Sequence, residues 1–192
     1  MPRDIPIRDL THFVQHDDLK NYKYRICVAG TRYWSDYKFL CSAILNYLKE
    51  FDIAKEDVVF ISGDAPSGAD KLIIDFAIEY AYKWTSFVPD WEDLNVENVR
   101  VKVNRAGHEY NALAGFNRNE EMAEVLNRLI TFYDGVSPGT KDMIKRVNLD
   151  GHPVRVHIIE VAPQPKVSDE PKPSSSGKSD PGKDRSHLAG WS

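Results

Sequence analysis

Tyr24-Arg25-Ile26-Cys27-Val28-Ala29-Gly30-Thr31-Arg32 is the stretch that decides the fold. A short apolar run that stops at a glycine reads as a strand buried on both faces. The pattern recurs. Asp57-Val58-Val59-Phe60-Ile61 ends at Ser62-Gly63, and Trp84 to Val88 gives a third strand. Leu129 to Tyr133 is a fourth, stopped by Asp134-Gly135, and Pro153 to Val161 a fifth.

Helical segments lie between these runs. Ser35 is placed to cap a helix carrying Phe39, Leu40, Ile44, Leu45 and Leu48. Ala69 to Tyr82 puts Leu72, Ile73, Phe76, Ala77 and Tyr80 on one face. Glu120 to Leu126 is helical, and Lys141 to Leu149 forms a helix closed by Gly151. Regular alternation of strand and helix predicts an α/β fold with a doubly wound, mostly parallel, Rossmann-like sheet of about five core strands, helices covering both faces. Ligands bind such sheets beyond the carboxyl ends of the strands.

Composition sets the outer limits. The chain has 192 residues, 42% hydrophobic and 28% charged, which is a globular balance. Lys+Arg is 25 against Asp+Glu 29, a net charge of −4, which argues against nucleic-acid binding through bulk positive charge. Two cysteines, Cys27 and Cys41, make no disulfide scaffold and no zinc-binding spacing. No apolar stretch approaches the ~20 residues of a membrane span, and the first residues are too charged for a signal peptide. The expected location is cytoplasmic, with reduced thiols.

Two flanking regions frame the core domain at 23–161. Residues 1–22 form a polar arm, expected to pack across the domain. Its His12 and His16 would share one face of a helix, but no third metal ligand lies nearby. Residues 162–192 are rich in Pro, Ser, Gly and charge, and predict a disordered, solubilising tail. Trp191 makes a partner-binding tail the alternative. Within the domain, the alternation Val99-Arg100-Val101-Lys102-Val103 in 92–113 reads as an added strand or hairpin arm. It would serve as a lid, as an oligomer contact, or as a charged edge that resists aggregation.

The loops after the strands share one composition. They are Gly30-Thr31-Arg32, Ser62-Gly63 with Gly68-Ala69-Asp70, Pro89-Asp90-Trp91, Gly115 with Asn117-Arg118-Asn119, and Asp134 with Ser137-Pro138-Gly139-Thr140. Glycines allow close backbone approach, and helix N-termini offer free N–H groups to an anion. Arg32 and Arg118 can add bidentate charge. Asp70, Asp90 and Asp134 can accept from sugar hydroxyls or base amines. Trp91 is either rim packing or a stacking platform. GxGxxG, GxSxG and HExxH are absent. Gly63 and Gly68 have P-loop spacing, but Ala69-Asp70 follows where Lys-Ser/Thr is required.

These segments in this order resemble the SLOG superfamily, specifically its YspA/YpsA-related branch, common in bacteria and phages. The resemblance runs from about Arg25 to Ile159. It implies a Rossmann-like domain that binds a nucleotide or nucleotide-derived ligand at Gly30, Thr31, Arg32, Ser62, Gly63, Gly68, Asp70, Asp90, Trp91, Gly115, Asn117, Arg118, Asn119, Asp134, Ser137, Gly139 and Thr140. It makes a homodimer plausible. LOG-type phosphoribohydrolases in that superfamily carry a catalytic glutamate three positions after a Gly-Thr threonine. Met143 stands there in this chain, and a thioether is neither acid nor base.

The leading expectation is therefore a nucleotide sensor or sequestering protein. An N-glycosidase acting on nucleoside 5′-monophosphates, with Asp90, Glu121 or Asp142 as its carboxylate, is the alternative. DprA-like single-strand DNA binding is a third. No protein-held metal or cofactor is expected, although a bound nucleotide can bring Mg.

Overall fold

The computed structural model describes residues 9–148 and 154–163. In chain order the elements are β1 (Tyr24–Gly30), α1 (Tyr37–Glu50), β2 (Val58–Ser62), α2 (Ala69–Glu79) and β3 (Lys83–Ser86). They continue with β4 (Val101–Val103), β5 (Glu109–Asn111), α3 (Ala114–Val125), β6 (Arg128–Tyr133), α4 (Pro138–Val147) and β7 (Arg155–Glu160). β3-β2-β1-β6-β7 form one sheet, and every neighbouring pair is parallel. β4 and β5 pair antiparallel in a separate hairpin, as the alternation around Val101 predicts.

The apolar runs explain the layering. In β1, Ile26 and Val28 pack with α1 and α2 residues such as Leu40, Ile44, Ile73 and Phe76. Cys27 and Ala29 face the other way, into a second cluster with Met122, Leu126, Met143 and Val147 of the α3–α4 side. β1, β2 and β6 thus bury both faces, which is why their sequences are mostly apolar, while β7 at the edge stays partly exposed. Burying one such side chain fully contributes about 1.5–3 kcal/mol.

The sheet grows from β1 through β2 to β3, then reverses to place β6 on β1's other side. With crossovers of one hand, that reversal moves the later helices to the opposite face. The result is the doubly wound arrangement.

Several boundaries differ from the sequence reading. The cap of α1 is Asp36, whose carboxylate accepts from Phe39 N at 3.0 Å, and not Ser35. A cap must sit one residue before the first helical position, and here that position is Tyr37. α2 stops at Glu79, and Ala81 has φ +53°, so the chain turns before Tyr82. α3 begins at Ala114, six positions ahead of Glu120, so Gly115 and Asn117-Arg118-Asn119 are helical. α4 begins at Pro138, whose fixed φ suits a first helical position. The predicted helix end at Leu149 and Gly151, the start of the fifth strand at Pro153, and nearly all of the tail lie outside the described residues.

The described part of the N-terminal arm does pack on the domain. Phe13 forms a parallel bridge with Trp84, with Val14 N donating to Trp84 O at 2.9 Å. Val14 and Leu19 are buried in the α3–α4 side cluster. His12 and His16 do not share a helix face. His12 lies in the turn before Phe13, and His16 opens a 3₁₀ turn, with its ring nitrogen Nε2 3.0 Å from Ser86 O. Among the described residues no helix is long and apolar enough to cross a membrane.

Candidate functional site

β1 and β6 are neighbours whose following loops serve opposite faces of the sheet, so a crevice opens beyond their carboxyl ends. Two adjoining clefts occupy it. The narrow one, about 50 Å³, is lined by Ala29, Gly30, Arg32, Ala65, Asp70, Arg118, Asn119, Met122, Ser137, Gly139 and Thr140. The wide one, about 500 Å³, is lined by Thr31, Arg32, Tyr33, Trp91, Ala112, Gly115, Phe116, Asp134, Val136, Ser137, Pro138, Gly139 and Pro163. Arg32, Ser137 and Gly139 belong to both, so the two form one continuous rim. The narrow part carries two arginines, Arg118 and the shared Arg32. The wide part is aromatic, and its size is that of a small-molecule site.

The floor of the narrow cleft is an ion pair built around a glycine. Arg118 Nη1 lies 3.8 Å from Asp70 Oδ2 and donates to the Gly63 carbonyl. A Cβ at Gly63 would sit 2.7 Å from Asp70 Oδ2 and inside the Arg118 guanidinium, so any side chain there would have to displace both charged groups. Ser62 Oγ donates to the Asp70 carbonyl at 2.8 Å and locks the loop to the start of α2. Burial pushes the Asp70 carboxyl above its ordinary range, while Arg118 pulls the other way. Arg118 Nε is buried with no hydrogen-bond partner among the described residues. Gly68 has φ +75°, and a Cβ there would meet Arg32 Cα at 2.7 Å, so glycine brings the β1 and β2 loops together.

The opposite wall is the start of α4. Asp134 organises it by accepting from Ser137 N at 2.8 Å and Val136 N at 3.0 Å. Burial acts to raise the Asp134 carboxyl, but these N–H groups and the Thr31 hydroxyl hold it below its ordinary range. No side chain caps α4, so the early N–H groups at Gly139 and Thr140 stay available at the positive end of the helix dipole. Thr140 Oγ1 lies 3.1 Å from Ser137 Oγ.

The expected site residues divide clearly. Gly30, Thr31, Arg32, Asp70, Trp91, Gly115, Arg118, Asn119, Asp134, Ser137, Gly139 and Thr140 line the two clefts. Ser62, Gly63 and Gly68 lie behind the lining and shape it. Asn117 does not line it, and its Nδ2 donates to Asn98 O at 2.9 Å. Asp90 is exposed and caps a turn, accepting from Glu92 N at 3.0 Å and Asp93 N at 3.1 Å. Glu121 is exposed and lines neither cleft. Asp142 is engaged by Asn119 Nδ2 and Arg146 Nε, both at 2.9 Å, at the α3–α4 contact. Met143 is 1% exposed within the apolar cluster.

Tyr33, Ala112 and Phe116 line the wide cleft without having been singled out in the sequence. Tyr33 directly follows the Gly30-Thr31-Arg32 loop and was the most accessible clue. A shallower hollow of about 410 Å³ near Trp34 presents Asp36 and Glu160 and no cation, which does not suit an anion. Among the described residues no group of three or more His, Cys, Asp or Glu side chains is arranged to hold a metal ion. No protein-family model, no curated protein and no solved structure matches this chain.

Proposed function

We propose that the protein binds a nucleotide or nucleotide-derived ligand across the β1/β6 crevice and acts as a sensor or sequestering protein. The observation that carries this reading is the junction of the two clefts. A recess with Arg32, Arg118 and the α4 N-terminus suits a phosphoryl group, and it opens directly onto an aromatic cavity that suits a base. The ordered loops that resemble the SLOG superfamily point to the same ligand class.

Binding is favoured over glycosidic cleavage by the state of the carboxylates. Asp90 caps a turn, Asp142 is held by Asn119 and Arg146, and Glu121 lies away from both clefts. Asp134 is saturated by backbone donors, and Asp70 faces Arg118. None is placed as a free acid or base at the rim.

Thermal unfolding against nucleoside mono- and triphosphates, NAD, ADP-ribose and cyclic dinucleotides, followed by product analysis, tests the reading. A ligand at 100 times its dissociation constant adds about 2.7 kcal/mol and moves the midpoint by several degrees. A shift with intact ligand is expected. Release of free base would make the protein an enzyme, and the absence of any shift would overturn the proposal.

A further inference from the structure

We propose that the inserted segment 92–113 makes the site selective for large bases, with Trp91 as the stacking platform and Asn111 as the residue that positions it. The inference rests on the nucleotide reading above and specifies which nucleotides that site prefers.

The insertion is a wall of the wide cleft. Trp91 and Ala112, at its two ends, line the cavity with Gly115 and Phe116 of α3. On this side the indole N–H is the only side-chain hydrogen-bonding group. Such a wall recognises a base by the area it stacks, and purines stack more area than pyrimidines. It has little with which to tell adenine from guanine.

Asn111 holds the wall together. It is 1% exposed, at the end of β5. Its backbone N–H donates to the Trp91 carbonyl at 2.8 Å. Its side-chain Oδ1 accepts from Arg100 N at 3.2 Å and from Leu113 N at 2.9 Å. One side chain thus joins the base of the hairpin to the residue preceding α3, while its own backbone fixes Trp91. Asn117 Nδ2 adds a second tie from α3 to Asn98 O at 2.9 Å. Gly115 lies beside the ring, and a Cβ there would stand in ordinary contact with Trp91 Cη2 at 3.7 Å. The rest of the lining includes Tyr33 and Val136 and the polar Thr31, Arg32, Asp134 and Ser137.

Calorimetric titration of the full chain with AMP, GMP, CMP and ribose 5-phosphate tests this. Ribose 5-phosphate carries the sugar and the anion but no base. The wild type should bind AMP and GMP with similar affinity and about ten-fold more tightly than CMP. Trp91→Ala should lose about ten-fold on AMP and GMP and leave ribose 5-phosphate within about two-fold. Trp91→Phe should keep most of the purine preference. Asn111→Leu should lower AMP affinity selectively, without touching the ligand itself. An equal loss of AMP and ribose 5-phosphate in Asn111→Leu would assign Asn111 a general structural role and overturn its positioning role. Unchanged AMP affinity in Trp91→Ala would overturn the stacking platform, whether or not Asn111→Leu folds, and would leave the nucleotide reading standing. A wild type that binds none of the four probes would overturn this inference, and the nucleotide reading would then be decided by the wider panel of triphosphates, NAD, ADP-ribose and cyclic dinucleotides.

Discussion

Asp70 Oδ2 lies 3.8 Å from Arg118 Nη1, with both side chains only 12% exposed, and the gap beside them is filled by the backbone of Gly63. One loop and two helices therefore meet at one charged contact. The residues come from β2's end, the first turn of α2 and the middle of α3. The narrow cleft keeps its shape only while all three stay in place.

Gly63→Ala should break that contact. The added methyl overlaps the Arg118 guanidinium, and moving a buried charge is costly. Overpacking of this kind costs about 1–3 kcal/mol. Urea unfolding should show the loss as a lower midpoint with an unchanged slope. Wild-type stability in this variant would mean that Arg118 does not occupy the floor.

The pH dependence of Asp70 has a definite sign. Its folded pKa is raised above 3.8 by burial, against the pull of Arg118. A carboxyl raised on folding contributes stability that is fully present below 3.8 and is lost as pH climbs through the folded value. Asp70→Asn cannot ionise. The stability of the wild type minus that of Asp70→Asn should therefore fall as pH rises from 3.8 toward neutrality. Denaturation series at several pH values would read this difference, and a rise over the same range would contradict the assignment.

Asp134 should behave in the opposite way. Its folded pKa is lowered, so its contribution is present above 3.8 and is lost as pH falls through the folded value. Asp134→Ala frees the Val136 and Ser137 N–H groups and should cost about 2 kcal/mol at neutral pH. The gap between wild type and variant should close in acid. A gap that persists unchanged at low pH would show that the cost comes from packing and not from the charge.

The carboxylates Glu121 and Asp142 separate by environment. Glu121→Gln, at an exposed position, should change stability by no more than about 0.5 kcal/mol. Asp142→Ala strips acceptors from Asn119 and Arg146 and should cost about 2 kcal/mol. Neither should alter which nucleotides bind, as measured by calorimetry. A selective loss of ligand in Glu121→Gln would place that residue at the site after all.

The sheet was legible because its central strands are buried on both faces, so Ile26–Ala29 and Val58–Ile61 read as unbroken apolar runs, and Leu129–Phe132 as one interrupted only by Thr131. The loop residues of the crevice were legible because glycines and small polar residues follow those runs at the carboxyl edge. The start of α3 was not. Gly115 and the two asparagines beside Arg118 are poor helix formers, and the helix there is held by tertiary burial of Ala114, Asn119 and Met122. Turning those residues into the first turns of a helix is what aims Arg118 at Gly63. The roles of Tyr33, Phe116 and Asn111 are also tertiary. Nothing in local spacing connects Asn111 to Trp91, twenty positions away, until the hairpin closes.

The central claim is that one ligand spans the narrow and wide clefts. An amide and side-chain NMR titration of the whole chain with AMP measures this most directly. The account predicts saturable shifts confined to Arg32, Gly63, the Arg118 Nε–H, Gly139, Thr140 and the Trp91 indole N–H, all fitting one dissociation constant. Shifts centred instead on the hollow at Trp34 and Glu160, or no saturable shift at all, would contradict it.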